Sequence, residues 1–409
     1  MKPFSIILAV LLCFCLCPST RAEGEPPTPS PTPEVFKNGD YEYTLLGDGT
    51  AQITKYNGKQ KSINIPSSFG SVRVTRIDDS AFYECIELTS VTIPDSVVSL
   101  GSNPFAACEK LTSFQISPDH PMFATIDNVL FEKTTRKLIC YPMGKAQSSY
   151  AIPQGIQSIG NVAFYSCKNL NKITIPDSVT TIGNSAFSGC SNLTAIVIPP
   201  SVTAIGEGVF FECTGLINVI IPDGVTAISK CAFYCCSSLT SVTIPDSVTS
   251  IGEAAFYGCT GLTGVAIPYS VTTIDARAFY GCTGLTSVII PDSVTTIGDG
   301  TFYMCSNLSI VTIPDGVTTI SEYMFYKCSS LTDVTISDSV TSIGNYTFSG
   351  CSSMITITIP DSIIALGKNT FSNCPNLTVT VGRGSYAAQY CQDNGIPYTY
   401  PDSNDWLNP

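Results

Sequence analysis

The chain has 409 residues, enough for roughly two or three ordinary domains or one long repeat array. Hydrophobic residues make up 44% of it, so it can bury a large core, while only 13% are charged. The balance is acidic, 20 Lys and Arg against 32 Asp and Glu, a net charge of −12; this argues against nucleic acid, whose binders carry a basic footprint, and against docking on anionic lipid.

Residues 1–22 read as a secretory signal peptide. Lys2 is the positive start, residues 6–17 form an apolar run too short to span a membrane, and Thr20 and Ala22 are the small residues before a cleavage site. Cys13, Cys15 and Cys17 do not fit a lipoprotein cleavage pattern. No later stretch is apolar for long enough to be a membrane helix, and no C-terminal sorting signal is recognised. The expected destination is secreted or cell surface, without membrane insertion. Cleavage removes Lys2 and Arg21 and no acid, taking the net charge from −12 to −14. Residues 23–34, "EGEPPTPSPTPE", are predicted to be an extended Pro/Thr linker. Residues 35–400 are expected to form one domain, with a tail at 401–409.

At the start of that domain, residues 41–46 and 51–56 flank "GDGT" and read as a hairpin, the N-terminal cap that a repeat array requires. A frame then begins. Cys85, Cys108, Cys167, Cys190, Cys213, Cys236, Cys259, Cys282, Cys305, Cys328, Cys351 and Cys374 recur at steps of 23, with one step of 59. A Phe precedes each by three residues, and a Leu follows each by three, Met354 being the one substitute.

In the unit "SSLTSVTIPDSVTSIGEAAFYGC", Val242-Thr243-Ile244 alternates with period two and reads as a short strand with Val and Ile inward. Pro245 ends it, because proline donates nothing to a ladder. Asp246 and Ser247 make a turn, and Val248 and Ile251 point back inside. Gly252, with equivalents Ser229, Asp275 and Ser321, stands where a helix N-cap belongs, so a single helical turn is predicted to carry Phe256 and Cys259. One unit alone cannot bury its apolar residues; stacked copies can. The prediction is an α/β repeat solenoid with a parallel strand ladder, short helical turns, a hairpin N-cap and a helical C-cap. Its 23-residue L-x-x-V-x-I period lies in the leucine-rich repeat range.

Residues 117–149 interrupt the frame. Val129-Leu130-Phe131 and Leu138-Ile139-Cys140-Tyr141 flank "EKTTRK" and read as a β-hairpin projecting from the ladder. At the far end, Thr380 and Gly382 fall where Val and Ile belong, so the last rung reads as imperfect; residues 385–393 look like a capping helix, with residues 398–400 beside it.

C-x-x-L-x-x-V-x-I-P followed by V-T-x-I-G-x-x-A-F resembles the BspA-like class of bacterial leucine-rich repeats, over about residues 63–381. The resemblance implies a secreted or surface protein linked to adhesion and host-protein binding, and a hairpin like that of residues 117–149 is common in such proteins.

Catalytic and metal chemistry find little support. His120, the only histidine, takes the slot of an inward Val beside Asp119 and Pro121 and reads as a solvated loop residue; no Ser-His-Asp or Cys-His arrangement can be built without it. The twelve in-frame cysteines read as core thiols. On parallel rungs their Cβ atoms stand ~4.8 Å apart against the ~3.8 Å a disulfide prefers. A four-cysteine metal site from Cys231, Cys235, Cys236 and Cys259 lacks any CxxC pair. Asp292, Asp315, Asp338 and Asp361 share one turn slot; calcium would relieve their repulsion, but the turn explains them. Neither cofactor nor metal is expected.

The expected function is non-catalytic binding or adhesion to a protein or glycan of a host or neighbouring cell. A carbohydrate-active enzyme and a structural surface-layer spacer are the alternatives. Residues just after the core Phe are aromatic on six consecutive rungs: Phe211, Tyr234, Tyr257, Tyr280, Tyr303 and Tyr326. They are predicted to form one partly exposed strip, with Tyr234, Tyr257, Tyr280, Tyr303 and Tyr326 as candidate ligand-binding residues. The strand face is predicted to show mostly Thr, with small apolar spots at Val197 with Ile220 and Ala266 with Ile289.

Overall fold

The computed structural model describes residues 33–401. The predicted signal peptide, nearly all of the linker and the tail from residue 402 lie outside the described residues.

Each 23-residue unit is one rung of a solenoid. The Val-x-Ile segments form the expected parallel ladder: Lys172–Thr174, Ala195–Val197, Asn218–Ile220 and Ser241–Thr243 pair in register, and Gly264–Ala266, Ser287–Ile289, Ile310–Thr312 and Asp333–Thr335 continue the series. In Ser241–Thr243 the central Val242 is buried and both neighbours are exposed, as alternation requires. A second parallel ladder was not predicted. The Val-Thr-x-Ile stretch, read as a turn, contributes two-residue strands such as Ser250–Ile251, paired with Ala227–Ile228 and Thr273–Ile274.

The predicted helical turn is absent. Around Phe256 the backbone bonds to the next rung instead: the N–H groups of Ala254, Phe256 and Gly258 donate to the carbonyls of Ala276, Ala278 and Tyr280, at 3.0, 2.8 and 2.7 Å. Reaching outward at every second residue requires left-handed backbone at two positions, Ala254 (φ 53°) and Gly258 (φ 68°). The same pair recurs as Arg277 and Gly281, Gly300 and Met304, Tyr323 and Lys327. A non-glycine residue in this conformation costs roughly 1–2 kcal/mol, offset here by a third inter-rung ladder. The described chain therefore has almost no helix. The C-terminal cap is one short helix, Tyr386–Asp393, started by Ser385, whose side chain accepts from the Ala388 N–H at 3.1 Å.

The repeated side chains also join rungs. The Phe rings form a stacked column; Phe233, Phe256 and Phe279 lie 5.2 Å apart and within 6° of parallel. Each such pair adds about 0.5–1.5 kcal/mol beyond its burial. The in-frame thiol donates to the Phe carbonyl of the preceding rung: Cys259 to Phe233 at 3.0 Å, Cys282 to Phe256 at 3.1 Å, Cys305 to Phe279 at 3.2 Å. The Ser of Pro-Asp-Ser donates to a Val carbonyl of the preceding rung, Ser247 to Val225 at 2.6 Å. Cysteine thus combines a small apolar body with a weak donor for a carbonyl inside the core.

The insertion does not project. Lys137–Cys140 pairs antiparallel with Val129–Glu132 and parallel with Ser158–Ile159, so it starts a new run of the second ladder. The N-terminal hairpin, Tyr41–Leu45 with Ala51–Tyr56, does the same through Val72–Ile77 and Ser99–Leu100. Tyr56 and Tyr141, one at the end of each hairpin, occupy the Phe slot of the column, Tyr56 tilted against Phe82 and Tyr141 stacked on Phe164, both at 5.3 Å. The insertion is therefore a second copy of the cap. It divides the core: Leu130, Ile139 and Cys140 pack into the N-terminal cluster, Val129, Phe131 and Leu138 into the main one. The last rung is complete rather than imperfect. One residue is missing from it, so Val379 and Val381 pair with Ile357 and Ile359 and are buried.

Ten of the twelve in-frame cysteines are buried, with Cys85 and Cys374 half-buried at the ends. Burial pushes the pKa of interior thiols such as Cys259 and Cys282 well above the ordinary value, which makes them inert. Cys85 is the exception, its pKa held down by its interaction with the Cys108 thiol. Unreduced protein is expected to react with few equivalents of thiol reagent when native, Cys85 first, and with at least twelve after denaturation. Fewer than six after denaturation would show that the column is disulfide-bonded.

Candidate functional site

The residue after each core Phe turns outward from the Phe column. Tyr234, Tyr257, Tyr280, Tyr303 and Tyr326 are all half-buried, at the edge of the core. Their rings stack face to face. Centroids are 4.5 Å apart from Tyr234 to Tyr257 and from Tyr257 to Tyr280, 4.4 Å from Tyr280 to Tyr303 and 4.6 Å from Tyr303 to Tyr326. The first three of these pairs are within 7° of parallel. Phe211 stacks on Tyr234 at 4.7 Å but is buried, packed with Cys231 and Ala254. The predicted six-ring strip therefore has five rings that reach solvent. Burial, then the neighbouring phenols of Tyr280 and Tyr326, push the Tyr303 pKa up to about 12. Tyr280 is raised in the same way. The strip thus presents uncharged ring edges and hydroxyls, while the faces are covered by the next ring.

A second aromatic column was missed. Tyr323 and Tyr346 stand at the left-handed position two residues before the core Phe and stack at 5.2 Å and 3°. Tyr323 meets Tyr326 edge-on at 5.8 Å, so the columns touch. The spacing of 23 between Tyr323 and Tyr346 carried the signal, hidden by the helical reading of this segment.

His120 is not a solvated loop residue; it is fully buried in the slot that Val97 fills one rung earlier. Its Nδ1 accepts from the Met122 and Phe123 N–H groups, both at 3.1 Å, leaving Nε2 to donate to the Pro94 carbonyl at 3.2 Å. This wiring requires the neutral ring. Burial lowers the His120 pKa, the Pro94 carbonyl and Asp95 oppose the shift, and Lys133 adds to it. Its role is to hold the entry to the hairpin.

Among the described residues no three His, Cys, Asp or Glu side chains converge as a metal-holding set, whether at Cys231, Cys235, Cys236 and Cys259 or along the aspartate turns. On the strand face, Val197 and Ile220 pair on adjacent rungs and are well exposed, as is Ile289.

The BspA type leucine rich repeat region, a six-copy pattern, matches residues 52–142, 140–263 and 249–378. The chain belongs to the BspA-type leucine-rich repeat family. A solved leucine-rich cell surface protein from Faecalibacterium prausnitzii is similar to this family member at 31% identity, over 90% of this chain and 98% of that one, with a TM-score of 0.53. A leucine-rich repeat protein from Bacteroides ovatus is 25% identical over 89% of this chain and 99% of that one, with a TM-score of 0.52. The pneumococcal vaccine antigen PcpA, 16% identical over 91% and 99% of the two chains, shares the fold with a TM-score of 0.51. No curated protein matches the chain significantly. Among the described residues of this BspA-type protein no helix is long and apolar enough to cross a membrane.

The pH dependence of the fold follows from His120. Its folded pKa lies below the reference value of 6.5. As pH falls through 6.5 the unfolded chain gains a proton that the folded chain refuses. Stability then drops by up to about 1.4 kcal/mol per pH unit until the folded pKa is reached. The melting temperature of the wild type is expected to fall between pH 7.5 and 5.5 more steeply than that of His120→Gln. Equal slopes would contradict the wiring.

Proposed function

We propose that this protein is a non-catalytic binding protein of the cell surface or the extracellular space, and that the tyrosine strip is its contact surface for a protein of a host or neighbouring cell. The observation that carries this reading is the strip: five half-exposed rings on consecutive rungs, fixed by stacking at 4.4–4.6 Å. A rigid tyrosine row loses little side-chain entropy on binding and offers apolar edges with hydroxyl tips. A protein suits it better than a glycan. Sugar rings stack on open aromatic faces, and here each interior face is covered by the next tyrosine. Membership of a repeat family with a cell surface protein among its similar structures supports the location.

Replacing Tyr257, Tyr280 and Tyr303 together by Ser is expected to abolish capture of extracellular-matrix and cell-surface proteins by the immobilised chain, while its circular dichroism is retained. Undiminished capture by the folded triple variant rejects the strip as the site. Loss of the fold itself would instead show that the rings serve packing.

A further inference from the structure

The second aromatic column contains a gap. Its positions run through Arg277, Gly300, Tyr323 and Tyr346, all in left-handed backbone, with φ of 58°, 60°, 55° and 56°. Tyr346 covers one face of Tyr323. On the rung of Gly300 the column itself has no side chain, and the nearest ring of that rung, Tyr303, lies tilted by 47° with its centroid 6.4 Å from that of Tyr323. A Cβ placed on Gly300 would meet only the Tyr303 Cβ at 3.7 Å and the Arg277 Cγ at 3.8 Å, both ordinary contacts. The result is a shallow pocket of about 450 Å³ centred on Gly300, bordered by Arg277, Tyr280, Asp299, Tyr303, Glu322 and Tyr323.

The chemistry of this pocket is specific. The gap is one side chain thick, since rungs repeat at ~4.8 Å, so it admits a flat group and not a bulky one. Its end wall is an aromatic face. Its outer side carries Asp299 and Glu322, each holding one hydrogen bond within the protein, from the Glu322 N–H at 3.2 Å and from the Asn345 side-chain amide at 2.7 Å. Among the described residues neither carboxylate has an ion-pair partner. The one cation at the rim, Arg277, is drawn back to Glu253 on the preceding rung, 3.9 Å away, and Lys230 holds the same carboxylate at 2.8 Å. Negative charge is in surplus here, with the two carboxylates of Asp299 and Glu322 against the one guanidinium of Arg277 among the lining residues. The protein already pairs cations with tyrosine rings elsewhere: Lys327 lies 5.3 Å from the Tyr326 centroid and Arg383 4.4 Å from that of Tyr400.

We propose that this slot receives an arginine side chain of the protein partner, its guanidinium flat on Tyr323 and hydrogen-bonded to the carboxylates of Asp299 and Glu322. Arginine fits where lysine does not, because a planar guanidinium fills a one-rung gap and presents a fork of donors to two carboxylates. The inference rests on the strip reading only in taking the partner to be a protein.

The test is calorimetric titration of the intact chain with acetyl-Gly-Arg-Gly-amide and with its lysine and citrulline counterparts. The arginine peptide is expected to saturate with a dissociation constant on the order of 1 mM, and the other two to bind at least tenfold more weakly. Two variants are expected to weaken the arginine peptide at least tenfold while the chain stays folded, the second at a somewhat lower melting temperature because Gly300 is left-handed. One is Asp299→Asn with Glu322→Gln, which keeps both internal hydrogen bonds. The other is Gly300→Tyr, which continues the Tyr323 and Tyr346 column into the gap. Should Gly300→Tyr fail to fold, the double variant decides alone. Absence of saturation, equal binding of the lysine or citrulline peptide, or undiminished binding by a folded variant overturns the proposal. Gly300→Tyr leaves Tyr257, Tyr280 and Tyr303 in place, so failure of the slot and failure of the strip are read separately.

Discussion

A single rung of this protein leaves rows of backbone N–H and C=O groups pointing along the solenoid axis, and only another rung can satisfy them. Unpaired and buried, each such group would cost on the order of 1–3 kcal/mol. Three ladders remove that cost around the whole circumference: Val242 beside Val219, Ile251 beside Ile228, Phe256 N–H onto the Ala278 carbonyl. The side chains follow the same logic. The Cys259 thiol and the Ser247 hydroxyl each close a bond to the rung before, and Phe256 stacks on its equivalents to either side. The repeat in the sequence is the consequence: a residue that serves one rung serves every rung, because its neighbour is a copy of itself.

The same constraint decides what happens at the ends. A first rung has no predecessor, so something must supply the second ladder and the aromatic column at that point. Both hairpins do this with the same parts, a strand entering the second ladder and a tyrosine in the Phe slot, Tyr56 in one and Tyr141 in the other. The molecule is in effect two arrays in series, with the second hairpin's alternating faces shared between their cores. His120, buried at the entry to that junction, keeps the turn closed through its neutral ring. Side chains that point away from the core are free to differ even where their backbone belongs to the third ladder. It is there, beside the core Phe and two residues before it, that tyrosines accumulate over a limited block of rungs and give one part of the array a surface of its own.

Much of this was legible in the sequence. The frame of Phe, Cys and Leu, the first ladder, the capping hairpin and helix, and the outward aromatic row all follow from period and alternation. What failed did so for physical reasons. Gly252, Ser229 and Asp275 are good helix caps, and nothing in the residues Ala254, Arg277 or Tyr323 announces a left-handed backbone, so an inter-rung ladder was read as helix. The second ladder was missed because two-residue strands such as Ser250–Ile251 show no alternation. Tyr141 escaped notice because it keeps the aromatic ring of its slot without the cysteine three residues later. Phe211, counted with the strip, is covered by Cys231 and Ala254, contacts between rungs that linear spacing does not reveal. The slot at Gly300 is visible only as a missing ring between neighbours 46 residues apart in sequence, Arg277 and Tyr323.

The central claim is that rungs are interchangeable because each satisfies its neighbours through the same groups. The most direct measurement is the stability of a chain lacking residues 260–282, one whole unit, in which Cys259 runs straight into Thr283. The account predicts a cooperatively melting solenoid with unchanged circular dichroism per residue and one fewer buried thiol. Loss of cooperative melting, or exposure of several thiols to reagent in the native state, would contradict it.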